Sequence, residues 1–69
     1  MSKITVAQAS SHISNVLEPA NNWPLFDKTL DLIPSRIFNG ETSEEKIKIW
    51  EDENQEILKH IMSLTGKEN

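Results

Sequence analysis

Cysteine and tyrosine are absent from this chain, and glycine occurs only at Gly40 and Gly66. Without cysteine there is no disulfide framework and no thiolate metal site. Two glycines so far apart exclude a glycine-rich phosphate loop. No apolar run approaches the roughly 20 residues that a membrane-spanning helix requires. The opening MSKITVAQASSHISNV also lacks the continuous apolar stretch of a secretory signal. These absences lead us to expect a soluble, unprocessed, cytoplasmic protein. Its 69 residues suffice for a single small domain, whose folding would bury only about 60% of the surface of the unfolded chain. A core that small relies on well-formed helices or on a partner's surface.

Charge is unevenly spread. The chain carries a net charge of −4. Between residues 41 and 56, seven acids (Glu41, Glu44, Glu45, Glu51, Asp52, Glu53 and Glu56) face two lysines, Lys46 and Lys48, a local balance of −5 against +1 elsewhere. Such a segment suits a basic partner surface and works against broad contact with phosphate backbones.

The apolar residues point to an all-α fold, a small three-helix domain with a long C-terminal amphipathic helix. In the first helix, 6–17, Thr5 and Gln8 stand at capping-box spacing. At 100° per residue Val6, Ala9, Ile13, Val16 and Leu17 fall within about 120° of arc. Pro19 ends this helix, and Asn21 and Asn22 suit the joint that follows. A second helix, 24–33, starts at Pro24, which fits a first helical turn. Phe26, Leu30 and Ile33 lie along its apolar stripe, and Pro34 should end or kink it. The spacing predicts a further helical turn over 34–38, stopped by Gly40, in preference to a wing-like loop.

The third helix, 43–65, is expected to be one continuous rod of about 34 Å. Thr42 and Glu45 repeat the capping-box pattern, and Gly66 supplies the stop. The rod is longer than the roughly 30 Å diameter of a compact domain of this size. Ile47, Trp50, Asn54, Ile57, Ile61 and Leu64 follow a 3-4-3-4-3 spacing, a seam three heptads long with an amide at its centre. A single buried asparagine in such a seam fixes register between two copies, because an unpaired amide there costs roughly 1 to 3 kcal/mol. That reading makes the six residues a homodimer seam. Leu58 and Met62 broaden the stripe to about 160°, which suits an intramolecular core in which Asn54 bonds a loop carbonyl or a water. The broader stripe favours the second reading, and both hold if one flank packs inward and the other pairs.

Reactive chemistry is sparse. His12 borders the first helix's stripe and His60 lies on the polar side of the third, with no second ligand at metal-binding spacing. Ser11 and His12 diverge by about 100° on a helix, so a nucleophile–base pair would need tertiary help. Glu51, Asp52 and Glu53 radiate to different sides and do not converge on a cation. We therefore expect neither an enzyme nor a cofactor or metal.

The leading expectation is a protein-binding regulator or assembly module that works through helix faces. Its acidic segment (Glu51, Asp52, Glu53 and Glu56) would steer a basic partner, while Trp23 and Ile49 supply apolar contact. For Trp23 by itself, a lid over the core is the reading favoured over an exposed binding anchor. The segments ITVAQASSHI and LIPSRIFNG, between Ile4 and Gly40, resemble the small excisionase and MerR-type winged-helix proteins. That resemblance implies a DNA-binding regulator in which the second helix reads a groove and Lys3, Lys28 and Arg36 touch phosphates. The chain departs from the pattern in two ways. The joint EPANNW exceeds the usual short turn, and Asp27 and Asp31 set negative charge toward the duplex.

Overall fold

The computed structural model describes residues 3–67, and among these it is all-α, with no strand. The first helix, α1 (Val6–His12), opens on the expected capping box. The Gln8 N–H donates to Thr5 Oγ1 at 3.2 Å, and the Thr5 N–H donates to Gln8 Oε1 at 2.9 Å. The helix runs on without interruption through a wider π-helical turn, Ile13–Leu17, marked by the Glu18 N–H donating to the Ile13 carbonyl at 2.9 Å. The span 6–17 is thus helical as the spacing predicts. Asn21 then turns the chain at φ 59°, a conformation that asparagine tolerates better than most residues.

Helix α2 (Trp23–Leu30) follows, with Asn22 before it and Pro24 in its first turn. It stops three residues short of the expected 33. Leu32 and Ile33 donate instead to Thr29 and Leu30 at 3.1 and 3.3 Å in tighter turns. Pro34 explains the early end, because it has no N–H to return to Leu30 and biases Ile33 toward extended backbone. The expected extra turn exists as α3 (Ser35–Phe38). Gly40, at φ 75°, closes it in a Schellman arrangement, with Gly40 and Glu41 donating to the carbonyls of Ile37 and Arg36 at 3.3 and 3.0 Å.

The continuous rod over 43–65 is not what forms. The segment is two helices, α4 (Glu44–Glu53) and α5 (Gln55–Ser63), broken at Asn54, whose φ −125° and ψ 32° are not helical. The cap is also displaced by one residue. Ser43, not Thr42, accepts from the Lys46 N–H, at 3.4 Å, and the Thr42 hydroxyl oxygen is buried with no hydrogen-bond partner among the described residues. Helix α5 ends at Ser63, and Leu64 already has extended backbone.

The core explains the break. Val6, Ala9, Ile13 and Leu17 from the first helical span pack with Ile33, Ile37, Leu58, Ile61 and Leu64, and α1 lies against α5. At 1.5 Å per residue the span 6–17 reaches only about 18 Å, enough to cover α5 but not a rod twice as long. Bending at Asn54 returns Ile47 and Trp50 to the edge of the core, where both are half-buried. The result is a flat molecule of 33 × 28 × 16 Å with a Cα radius of gyration of 11.9 Å. No helix among the described residues is long and apolar enough to cross a membrane.

Candidate interaction surface

Two side-chain amides replace backbone bonds of the kind lost at the break. Asn54 Nδ2 donates to the Trp50 carbonyl at 2.8 Å, and Gln55 Nε2 donates to the Glu51 carbonyl at 2.9 Å. The amide at the centre of the seam thus donates within its own chain, to a helix carbonyl and not to a loop carbonyl. Gln55 also grips the N-terminal segment as one strand grips another. Its Oε1 accepts from the Ile4 N–H at 3.0 Å, and its Nε2 donates to the Ile4 carbonyl at 2.7 Å.

Glu51 completes this clasp. It is 5% exposed, and its Oε2 accepts from the Val6 N–H at 2.7 Å. Val6 is the first residue of α1, so its N–H has no partner inside the helix, and a carboxylate there also meets the positive end of the helix dipole. Lys3 Nζ lies 3.9 Å from Glu51 Oε1 and donates to Asp52 Oδ1 at 2.8 Å. Of the acids expected to face a partner, Glu51 is therefore an interior residue. Asp52 is exposed but already paired, while Glu53 and Glu56 are exposed. A signal for Glu51 was present in the spacing. At 100° per residue it sits about 40° from Ile47, inside the apolar stripe and far from Ile49.

Ile49 stands on the opposite face of α4 and is 58% exposed. Glu45 and Glu53, one turn to either side, lie about 40° from it on the helix surface, and Asp52 and Lys46 about 60° from it on opposite sides. Lys46 borders the same face and is also exposed. Trp23 is placed elsewhere, on the first turn of α2, where it is 48% exposed and meets Phe26 edge-on with ring centroids 5.4 Å apart. It is neither a closed lid nor a neighbour of Ile49 in the chain's helical pattern. Sequence reasoning passed over a further apolar feature. Leu30, Ile33, Pro34 and the exposed Phe38 line a recess of about 550 Å³ between α2 and α3.

The proposed seam is divided by the break. Ile61 and Leu64 are buried in the chain's own core, and Ile47, Trp50, Asn54 and Ile57 are half-buried along its edge. His12 is also absorbed into the fold. Its Nε2 lies 2.7 Å from the Leu64 carbonyl, which only accepts, so the ring nitrogen is the donor. Asn22 Nδ2 donates to the Gly66 carbonyl at 3.3 Å, pinning the same C-terminal tail. His60 is exposed beside Leu25, Lys28, Thr29 and Leu32. Among the described residues no group of histidine and carboxylate side chains is placed to hold a metal ion. Compared with known proteins, the chain matches no family model, no curated protein and no solved structure.

Proposed function

We propose that the chain is a non-catalytic protein-binding module that presents the outward face of α4 to a basic partner surface. The observation that carries this reading is Ile49, an exposed isoleucine flanked one turn to either side by the exposed Glu45 and Glu53, with Lys3-paired Asp52 and Lys46 at the edges of the same face. An exposed apolar residue by itself is ordinary. Its carboxylate frame gives it direction, because the acids attract a cationic surface during encounter while the isoleucine contributes the contact that persists. Helix α4 lends only half-buried apolar groups to the core, so its outer face is available without unfolding the rest. The DNA-binding alternative draws less support. Lys3, one of its three phosphate contacts, is held by Asp52, which leaves Lys28 and Arg36.

The test is a titration of isotopically labelled protein with a synthetic helical peptide that carries leucine on one face and lysine around it, followed by amide NMR. A DNA duplex serves as the counter-probe. The reading expects shifts concentrated on Glu45–Glu53, their loss in Ile49→Ser, and no saturable response to the duplex. Peptide shifts that avoid α4, or saturable duplex binding that weakens with Lys28→Gln and Arg36→Gln, would overturn it.

A further inference from the structure

The junction of α4 and α5 is a single residue wide, and the bonds around it are of a kind that a straight helix would render unnecessary. In an unbroken helix the Trp50 and Glu51 carbonyls would accept from the backbone N–H groups of Asn54 and Gln55. Here the side-chain amides of those same two residues reach those carbonyls, while the Asn54 N–H shifts to the Glu51 carbonyl at 3.3 Å. Straightening therefore leaves no carbonyl without a partner. The sequence around the junction also has what a continuous helix needs, namely good helix formers on both sides and an apolar spacing that does not change phase across Asn54.

The segment beyond the junction docks chiefly on the first helical span, with Ile33 and Ile37 completing the same core and α2 residues beside His60. Leu58, Ile61 and Leu64 share one buried cluster with Ala9, Ile13 and Leu17, and α1 lies against α5. His12 holds the Leu64 carbonyl and Asn22 holds the Gly66 carbonyl. None of these contacts depends on α5 belonging to the same molecule as α1.

We propose that two copies of this chain exchange α5. In the exchanged dimer Asn54 becomes helical and residues 44–63 form one helix about 30 Å long. Each α5, with its tail, occupies the groove that the first helical span of the other copy offers. A one-residue hinge between helices whose natural continuation is straight favours such an exchange. The clasp opposes it. Glu51 and Asp52 on α4 and Gln55 on α5 all grip Lys3–Val6, so the N-terminal segment ties the two helices together across the bend and holds the chain closed. The partner here is a second copy of the chain, and the surface is the apolar face of α5, so this inference is independent of the outward face of α4.

Three variants test it: Asn54→Ala, Asn54→Gly and Gln55→Ala, each at millimolar concentration. Mass is read by light scattering and helicity by circular dichroism. Exchange straightens two hinges per dimer, so the alanine–glycine difference in helix preference should make the Asn54→Ala dimer about thirtyfold tighter than that of Asn54→Gly. Gln55→Ala, which loosens the clasp, should also raise the dimer fraction above that of the unaltered chain. The decisive readout is a dimer mixed from two isotopically distinct copies. Nuclear Overhauser contacts between Ile61 methyls of one copy and Ile13 methyls of the other support exchange. Strictly monomeric Asn54→Ala and Gln55→Ala, or a dimer in which Ile61 contacts only its own Ile13, would overturn it.

Discussion

Glu51 and Asp52 are adjacent acids with opposite structural roles. The Glu51 carboxylate is buried against the Val6 N–H, and Glu51→Ala would leave that donor without a partner in the interior. The expected loss is about 1 to 3 kcal/mol of unfolding free energy. Asp52 pairs with Lys3 at the surface, where water and salt screen the attraction, so Asp52→Ala should cost less than about 0.5 kcal/mol. Urea denaturation of the two variants side by side checks the contrast. The lesson for sequence reading is also local. A run such as EDEN invites treatment as one acidic patch, yet helical geometry sends neighbouring residues about 100° apart and sets Glu51 within the apolar stripe, while the Val6 N–H across the fold supplies its partner. Thr42 and Ser43 make the same point. Either can cap a helix, and a one-residue choice between them depends on how the preceding loop leaves Gly40, which spacing does not encode.

At the level of helices, local chemistry was legible and the long-range bend was not. The Thr5–Gln8 box, the helical turn after Pro34 and the glycine stop at Gly40 follow from residues within a few positions of one another. The break at Asn54 depends on the short first helical span and on the bonds to Ile4 and Val6, some fifty residues away, which the periodicity of 43–65 cannot register. The two glycines illustrate the difference in a measurable way. Gly40 has φ 75° with open space around its Cα, so Gly40→Ala should cost only the left-handed backbone penalty, about 1 to 2 kcal/mol. Gly66 has φ 88° and lies where an added Cβ would come within 2.5 Å of the Ala20 side chain. Gly66→Ala should therefore cost about 2 to 5 kcal/mol, the backbone term together with overpacking. A lower melting temperature for Gly66→Ala than for Gly40→Ala is the expected order. The isoleucines divide just as sharply. Ile61→Ala empties part of the core and should cost about 2 to 5 kcal/mol. Ile49→Ala, on the outer face of α4, should stay within about 0.5 kcal/mol while weakening capture of the lysine–leucine peptide. Equal destabilisation by the two would place Ile49 in the core and remove it from the proposed surface.

For the whole molecule, smallness governs the design. A chain of 69 residues that is only 16 Å deep along its shortest axis cannot bury a long rod. It folds the rod in half and ties the bend with the segment that precedes α1. The tie engages Lys3, Glu51 and Asp52, while Glu45 and Glu53 beside Ile49 stay exposed. The most direct test of this account is solution NMR on the dilute, monomeric protein, with backbone carbon shifts across 44–63 and Overhauser contacts from Gln55. The account predicts an interruption of helical shifts at Asn54 and contacts between the Gln55 side-chain amide and Ile4. Uninterrupted helical shifts through Asn54 in the monomer, with no contact from Gln55 to residues 3–6, would contradict it.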